Sequence, residues 1–215
     1  MIFDSVWPAE NETQITSNLL QAMVHAGCYL VGVFDGSKVV GASFAFPSVD
    51  PEVHLHSHMT AFIDSHRDQG LGTAVKMHQW RWAKERSYKS ITWTFDPLVR
   101  RNARLNILKL GADLIEYLPN FYGNMADELN NGDESDRLMV RWSTEVAAPS
   151  PRDEIAEAPY DAELISIPDD IVAIRRSNPD LALEHRLRVR ERLMNAFANG
   201  QKIIGFSANN EYVVE

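Results

Sequence analysis

Residues 67–73 read Arg67-Asp68-Gln69-Gly70-Leu71-Gly72-Thr73. They follow an apolar run, Met59 to Ile63, and open a helix-like run, Thr73 to Arg86. A strand that turns on glycines into a helix leaves the first N–H groups of that helix without internal partners, and such groups attract anions. Gly70 and Gly72 lack Cβ, so a phosphate can approach the backbone closely. Other phosphate loops are absent. There is no Gly-x-x-x-x-Gly-Lys-Ser/Thr, and no Gly-x-Gly-x-x-Gly with an acidic residue beyond the next strand. The plain alternative is a tight strand-to-helix turn whose glycines serve packing alone.

Outward from this loop the chain alternates strand and helix signals. Residues 14–26 read as a helix leading into Gly27, and Cys28–Phe34 as a strand. Asp35-Gly36 is a hairpin turn signal, Val39–Phe46 the returning strand, and Pro47 its end. His54–Ile63 is a longer strand before the loop. After the helix, Ser90–Phe95 alternates and is rich in β-formers, so it predicts a strand. Asn102–Leu110 predicts a short helix stopped by Gly111. Asp113–Leu118 and Arg137–Trp142 predict two more strands, separated by a loop over Pro119–Asp136. Thr144–Tyr160 carries three prolines among alanines and acidic residues and reads as a linker. Leu164–Ile167 predicts a short strand. Asn178-Pro179 starts a helix that runs to Asn199, and Lys202–Phe206 with Glu211–Val214 reads as a closing hairpin.

The 215 residues carry a net charge of −9, which argues against general nucleic-acid binding. Residues 64–110 run the other way, with ten Lys and Arg against four Asp and Glu. A basic segment in an acidic chain suggests a local anionic ligand, although a solvated helix face gives the same count. No apolar run approaches the roughly 20 residues that span a bilayer, and no secretory signal is evident at Met1-Ile2-Phe3-Asp4. Cys28 is the only cysteine, so an internal disulfide is excluded and a cytoplasmic location is expected. The sequon Asn11-Glu12-Thr13 reads as chance in that setting.

The order Arg67-x-x-Gly70-x-Gly72 between a strand and a helix resembles the coenzyme A pyrophosphate loop of the GCN5-related N-acyltransferases (GNAT). Asn102-Ala103 with Leu110-Gly111 resembles that family's second motif. The phrasing Trp93-Thr94-Phe95-Asp96-Pro97-Leu98 and Asn120-Phe121-Tyr122-Gly123 is similar to an uncharacterised branch of acetyltransferase-like proteins. The resemblance implies an α/β acyl-CoA N-acyltransferase fold, a mixed central β-sheet with flanking helices, over residues 1–143. Its first strand would be short or absent. Residues 144–160 would be a linker and 161–215 a small C-terminal α+β extension.

The resemblance also implies an activity: transfer of an acetyl or succinyl group from coenzyme A to a primary amine, such as that of an amino acid, by direct attack in a ternary complex. Acetyl-CoA or another short acyl-CoA would be the co-substrate. Gln69, Gly70, Leu71, Gly72 and Thr73 would hold the pyrophosphate, with Arg67 at its rim. Phe62 and Ile63 would pair with the pantetheine arm, and Asn102 and Asn106 would bond its amides or, equally, serve capping and surface polarity. The family's acid, a tyrosine four residues before the glycine of the second motif, is replaced by Ile107. Tyr122 is the substitute candidate, with Tyr117 behind it.

Three histidines, His54, His56 and His58, alternate on the long strand and so share a face. An imidazole near its ordinary pKa is a suitable base at neutral pH, and His56 is the candidate. Imidazoles along one straight strand diverge too much for tight tetrahedral ligation, so no metal is expected. Arg137 is a candidate partner for a substrate carboxylate, or Asp136 neutralises it. Arg186, Arg188, Arg190 and Arg192 spread around a helix axis and are expected to be mostly solvated. A catalytically weak CoA-binding sensor is the alternative function, and the C-terminal extension offers a surface for a homodimer.

Overall fold

The computed structural model describes residues 2–6, 15–66, 69–123, 132–148 and 150–215. Its elements are α1 (Ile2–Val6), α2 (Ser17–His25), β1 (Tyr29–Asp35), β2 (Lys38–Ser48), β3 (His54–Phe62), α3 (Leu71–Glu85), β4 (Ser90–Phe95), α4 (Arg100–Arg104), β5 (Asp113–Leu118) and β6 (Arg137–Ser143). Then follow β7 (Glu163–Ser166), α5 (Ile171–Ser177), α6 (Pro179–Ala198), β8 (Ile203–Phe206) and β9 (Glu211–Val214). Six strands form a mixed sheet in the order β1-β2-β3-β4-β6-β5, and three form a second in the order β7-β9-β8. In the first sheet β3 and β4 are parallel, while β1–β2, β2–β3 and β5–β6 are antiparallel.

The chain folds as two compact units, each built from two stretches. Residues 1–93 with 142–148 make the first, and residues 94–141 with 149–215 the second. In the first unit, Phe3, Ile15, Leu20, Phe44, Met59 and Ala61 form a buried cluster. The segment before residue 7 therefore supplies a helical turn with an anchoring phenylalanine, not a first strand. Thr16 caps α2 by accepting from the Leu19 N–H. α3 buries Trp80, whose indole N–H donates to the Ser143 carbonyl at 3.0 Å, while Trp93 and Trp142 meet edge to face. Pro47 does not end β2. It pairs with Leu55, and the strand continues to Ser48.

In the second unit, α6 starts at Pro179 beneath an Asn178 cap and buries Ala182, Arg186, Val189, Leu193 and Ala196 on one face. Tyr212 is fully buried and donates its hydroxyl proton to the Pro97 carbonyl at 2.6 Å. α5 was not expected from the sequence. Asp170 caps it by accepting from the Ala173 N–H. The helix expected over Asn102–Leu110 is α-helical only to Arg104. From Leu105 to Lys109 it widens into a π turn, closed by the Leu110 N–H on the Leu105 carbonyl at 2.9 Å. Gly111 then adopts φ +56°, and a Cβ there would lie 2.1 Å from the Ser150 carbonyl oxygen.

Candidate functional site

In the first unit, β3 and β4 pair only at Leu55–Ile91 and His56–Thr92. The next residues along each strand, Ser57 and Trp93, stand where the ladder has ended. On its other edge β3 remains paired with β2, but with an irregularity: Ala45 faces Ser57 and Phe44 faces Met59, so His58 is an extra residue. Such a bulge bends its strand and increases its twist, which helps the strand leave a neighbour. The result is a fork in a sheet, with backbone amides along β3 that β4 does not use.

Beyond the fork, β3 ends at Phe62, opposite Gly41, and the Ile63 N–H donates to the Val40 carbonyl at 3.0 Å. Gly70 takes φ +78°, a left-handed conformation that suits glycine, and forms the N-cap of α3 without any side-chain cap. A Cβ built on Gly70 would meet nothing within 4 Å, so the space in front of it is open. Leu71, Gly72 and Thr73 form the first turn of α3. Gln69 donates its side-chain amide to the Ser65 carbonyl at 3.0 Å. A cleft of about 280 Å3 opens beside this loop, with Phe34, Asp35, His66, Gln69 and Leu71 in its walls. Arg67 lies outside the described residues.

His56 is half-buried, with Nδ1 3.2 Å from the Thr92 hydroxyl. Phe46 packs against the rings of both His56 and His58, with centroids 5.2 and 5.6 Å away. The ordinary pKa expected for His56 does not hold. Burial, reinforced by the charges of His58, His54 and Lys76, pushes it down to about 4. His54 is buried with Nδ1 on the Glu52 carbonyl at 2.8 Å. Among the described residues no group of three His, Cys, Asp or Glu side chains is arranged to hold a metal ion.

In the second unit, Tyr122 is exposed and lies 3.3 Å, oxygen to oxygen, from Thr94. The Arg137 guanidinium stands 5.3 Å from the centre of the Tyr122 ring. Arg137 is buried and donates to the backbone carbonyl of Asp136, and burial pushes its pKa down. The Asp136 carboxylate has other duties. It accepts from the Tyr117 hydroxyl at 2.6 Å, the Asn120 N–H at 2.9 Å and Arg190. Tyr117 is thus committed to Asp136. Asn106 is buried, and its side-chain amide donates to the Asn102 carbonyl at 2.9 Å. Ile107 is fully buried.

The arginines of α6 correct the expectation that most of them are solvated. Arg186 is wholly buried and grips Asp133 through Nε at 2.9 Å and Nη2 at 2.6 Å. Arg175 of α5 reaches Asp133 at 2.9 Å and Asp96 at 2.6 Å. Arg186 and Arg190 are one turn apart, so they share the face that also carries Val189 and Leu193. Burial pushes the Asp133 carboxyl up, but the hydrogen bonds and charges of Arg186 and Arg175 outweigh it and hold the pKa below its ordinary value.

No protein-family model matches the sequence, and no curated protein does. Solved structures do match. Naa50 of Arabidopsis thaliana, in complex with the bisubstrate analogue CoA-Ac-MVNAL, superposes with a TM-score of 0.52 at 14% identity, covering 66% of this chain and 88% of its own. The ribosomal-protein-S18-alanine N-acetyltransferase of Escherichia coli gives 0.51 at 12% identity, over 73% of this chain and 89% of its own. The protein smu.2055 of Streptococcus mutans UA159 gives 0.51 at 16% identity, over 66% and 89%. With the strand order, the single parallel pair and the strand–loop–helix unit at Gly70, these matches show that the chain has the GCN5-related N-acetyltransferase fold.

Proposed function

We propose that the chain transfers a short acyl group, acetyl or succinyl, from coenzyme A to the primary amine of a small molecule such as an amino acid. The observation that carries this is the fork between β3 and β4, followed by an open, uncapped helix start at Gly70. Unused strand amides suit the amide-bearing pantetheine arm, and the helix start suits a pyrophosphate. Gln69, Gly70, Leu71, Gly72 and Thr73 hold the pyrophosphate on this reading, with Phe62, Ile63, Asn102 and Asn106 along the arm. His56 is the base that takes the amine proton. It is neutral at any pH well above about 4, and its lowered pKa makes it a weaker base than an ordinary imidazole. Tyr122 is the proton donor to the departing thiolate, and Arg137 the partner of a substrate carboxylate. No covalent enzyme intermediate is required.

Titration calorimetry with acetyl-CoA and succinyl-CoA tests the reading. Binding of at least one thioester is expected, with loss in Gly70→Trp, whose indole would occupy the open space before the helix. Absence of binding by the unaltered protein overturns it. The buried Ile107 favours a second reading, a CoA-binding sensor with little catalysis, because an apolar side chain stands where the family's acid is expected. That reading predicts thioester binding without turnover of any amine. Leu183, Leu187 and Met194 are exposed on α6, which supports a second copy of the chain as a partner. Sedimentation as a monomer at every concentration would remove that proposal.

A further inference from the structure

α3 turns Val75, Lys76, Gln79, Trp80 and Ala83 inward. An inward helix face is ordinarily apolar, and here two of the five positions are polar. Lys76 is only 7% exposed and Gln79 is fully buried. A buried ammonium is costly unless an anion answers it. Lys76 has none among the described residues. Its Nζ donates to the Ser57 hydroxyl at 2.7 Å, lies 3.5 Å from the Gln79 side-chain oxygen and stands 3.9 Å over the ring of Trp93. The Gln79 side-chain nitrogen, also buried, has no hydrogen-bond partner.

The position of this cation is specific. Ser57 and Trp93 are the residues that follow the last β3–β4 pair, His56–Thr92. The ammonium touches both, so it sits at the point where the two strands part. An unanswered cation and an unpartnered amide donor lie together at the fork.

We propose that Lys76 is the counter-charge for the sulfur of coenzyme A, placed at the fork to receive the thiolate as it leaves. This rests on the acyl-transfer reading. The amine nitrogen attacks the thioester carbonyl and the C–N bond forms. The amine gives its proton to the base. The C–S bond breaks, and its electron pair stays on sulfur. The ammonium of Lys76 holds that anion until a proton arrives from water. An anion in a water-poor site is stabilised far more by a fixed cation than it would be in water. The Trp93 ring holds the ammonium in place by cation–π attraction.

Burial pushes the Lys76 amine down to about 7, so an arriving thiolate pulls it toward the charged form. The groups that touch it are Ser57 of β3, Trp93 of β4 and Gln79 of its own helix. His56 feels the Lys76 charge, and its own pKa is lowered in part by it.

The test uses coenzyme A and desulfo-coenzyme A, which lacks the sulfur. In the unaltered protein, the thiolate absorbance of bound coenzyme A should titrate about one unit below that of coenzyme A free in the same buffer. The preference for coenzyme A over desulfo-coenzyme A should rise with pH, toward about tenfold once the free thiol is itself ionised, since one unit of pKa is a factor of ten. Lys76→Met, which keeps the buried stem, should abolish that preference and its rise with pH while both ligands still bind. Equal binding of the two ligands, with a thiol that titrates as in water, overturns the proposal and leaves the acyl-transfer reading intact. Binding of neither ligand overturns both. If Lys76→Met does not fold, the comparison in the unaltered protein decides alone.

Discussion

Arg190 holds the Asp136 carboxylate with two nitrogens, Nε at 2.8 Å and Nη2 at 2.6 Å. The same carboxylate accepts from Tyr117 and from the backbone of Asn120, two residues before Tyr122. The Tyr122 N–H in turn donates to the Ser135 hydroxyl at 2.7 Å. Within the second unit, then, α6 fixes the start of β6, and the start of β6 fixes the turn that carries Tyr122.

Removing Arg190 leaves a buried carboxylate short of its main partner. Breaking such a pair costs about 3 kcal/mol, more than most surface changes. Arg190→Ala is expected to lower the urea midpoint accordingly. Arg190→Lys keeps the charge but loses the fork of donors, and its loss should be smaller. A midpoint unchanged in Arg190→Ala would show that the pair contributes nothing to stability.

Asp133 and Asp136 also predict an acid limit. For Asp136, burial pushes the pKa up, but Arg190, the Tyr117 hydroxyl, the Asn120 N–H and Arg186 together hold it below its ordinary 3.8. Asp133 is depressed likewise. A carboxylate depressed on folding adds stability that is complete above its unfolded value and disappears as pH falls through the folded one. Thermal unfolding followed against pH should therefore show a steep loss below about pH 4 that Asp133→Asn makes shallower. An unchanged pH slope in Asp133→Asn would count against the cluster as its source.

His56 gives a separate signal at higher pH. Its ordinary value of 6.5 falls to about 4 in the folded chain. Between those values the unfolded chain binds a proton that the folded chain does not, so stability declines as pH drops from 6.5 toward 4. Ring nitrogen shifts in a magnetic-resonance titration should show His56 neutral at pH 5.5. A protonated ring at that pH would refute the burial argument.

Gly111 marks the end of the π turn, and its tolerance is testable. Positive φ costs a side chain about 1 kcal/mol, and here the Cβ would also run into the Ser150 carbonyl oxygen. Gly111→Ala should destabilise by more than 2 kcal/mol, roughly the backbone strain plus the displaced residue 150. Denaturation at equilibrium measures it, and a loss under 1 kcal/mol would mean that the segment at Ser150 yields easily.

Much of the fold was legible because its signals are local. The turn at Gly70, the alternation of Ser90–Phe95 and the Asn178-Pro179 helix start each rest on a few adjacent residues. What stayed hidden depends on distance along the chain. Asp96 meets Arg175 across 79 positions, and nothing near either residue announces it. Even spacing of four arginines on α6 suggested a solvated helix, because periodicity cannot tell a buried charge with partners from an exposed one. Lys76 was hidden for a related reason: in sequence it is one polar residue in an amphipathic helix, and only the end of the β3–β4 ladder gives it meaning. The π turn had no signal, since Leu105–Lys109 is composed like any helix. The ordinary pKa expected for His56 failed because protonation follows burial, which spacing does not report.

The pairing of residues 94–141 with 149–215 has a consequence for the order in which the chain can fold. Asp96, Asp133 and Asp136 are synthesised well before Arg175, Arg186 and Arg190, which neutralise them. During synthesis the middle of the chain carries three carboxylates whose counter-ions do not yet exist, so the ion-pair cluster of the second unit cannot form until α6 has emerged. A fragment that stops at Tyr160 retains the Gly70 loop and both strands of the fork but loses every arginine of the cluster. Such a fragment is an unfinished protein rather than a minimal one.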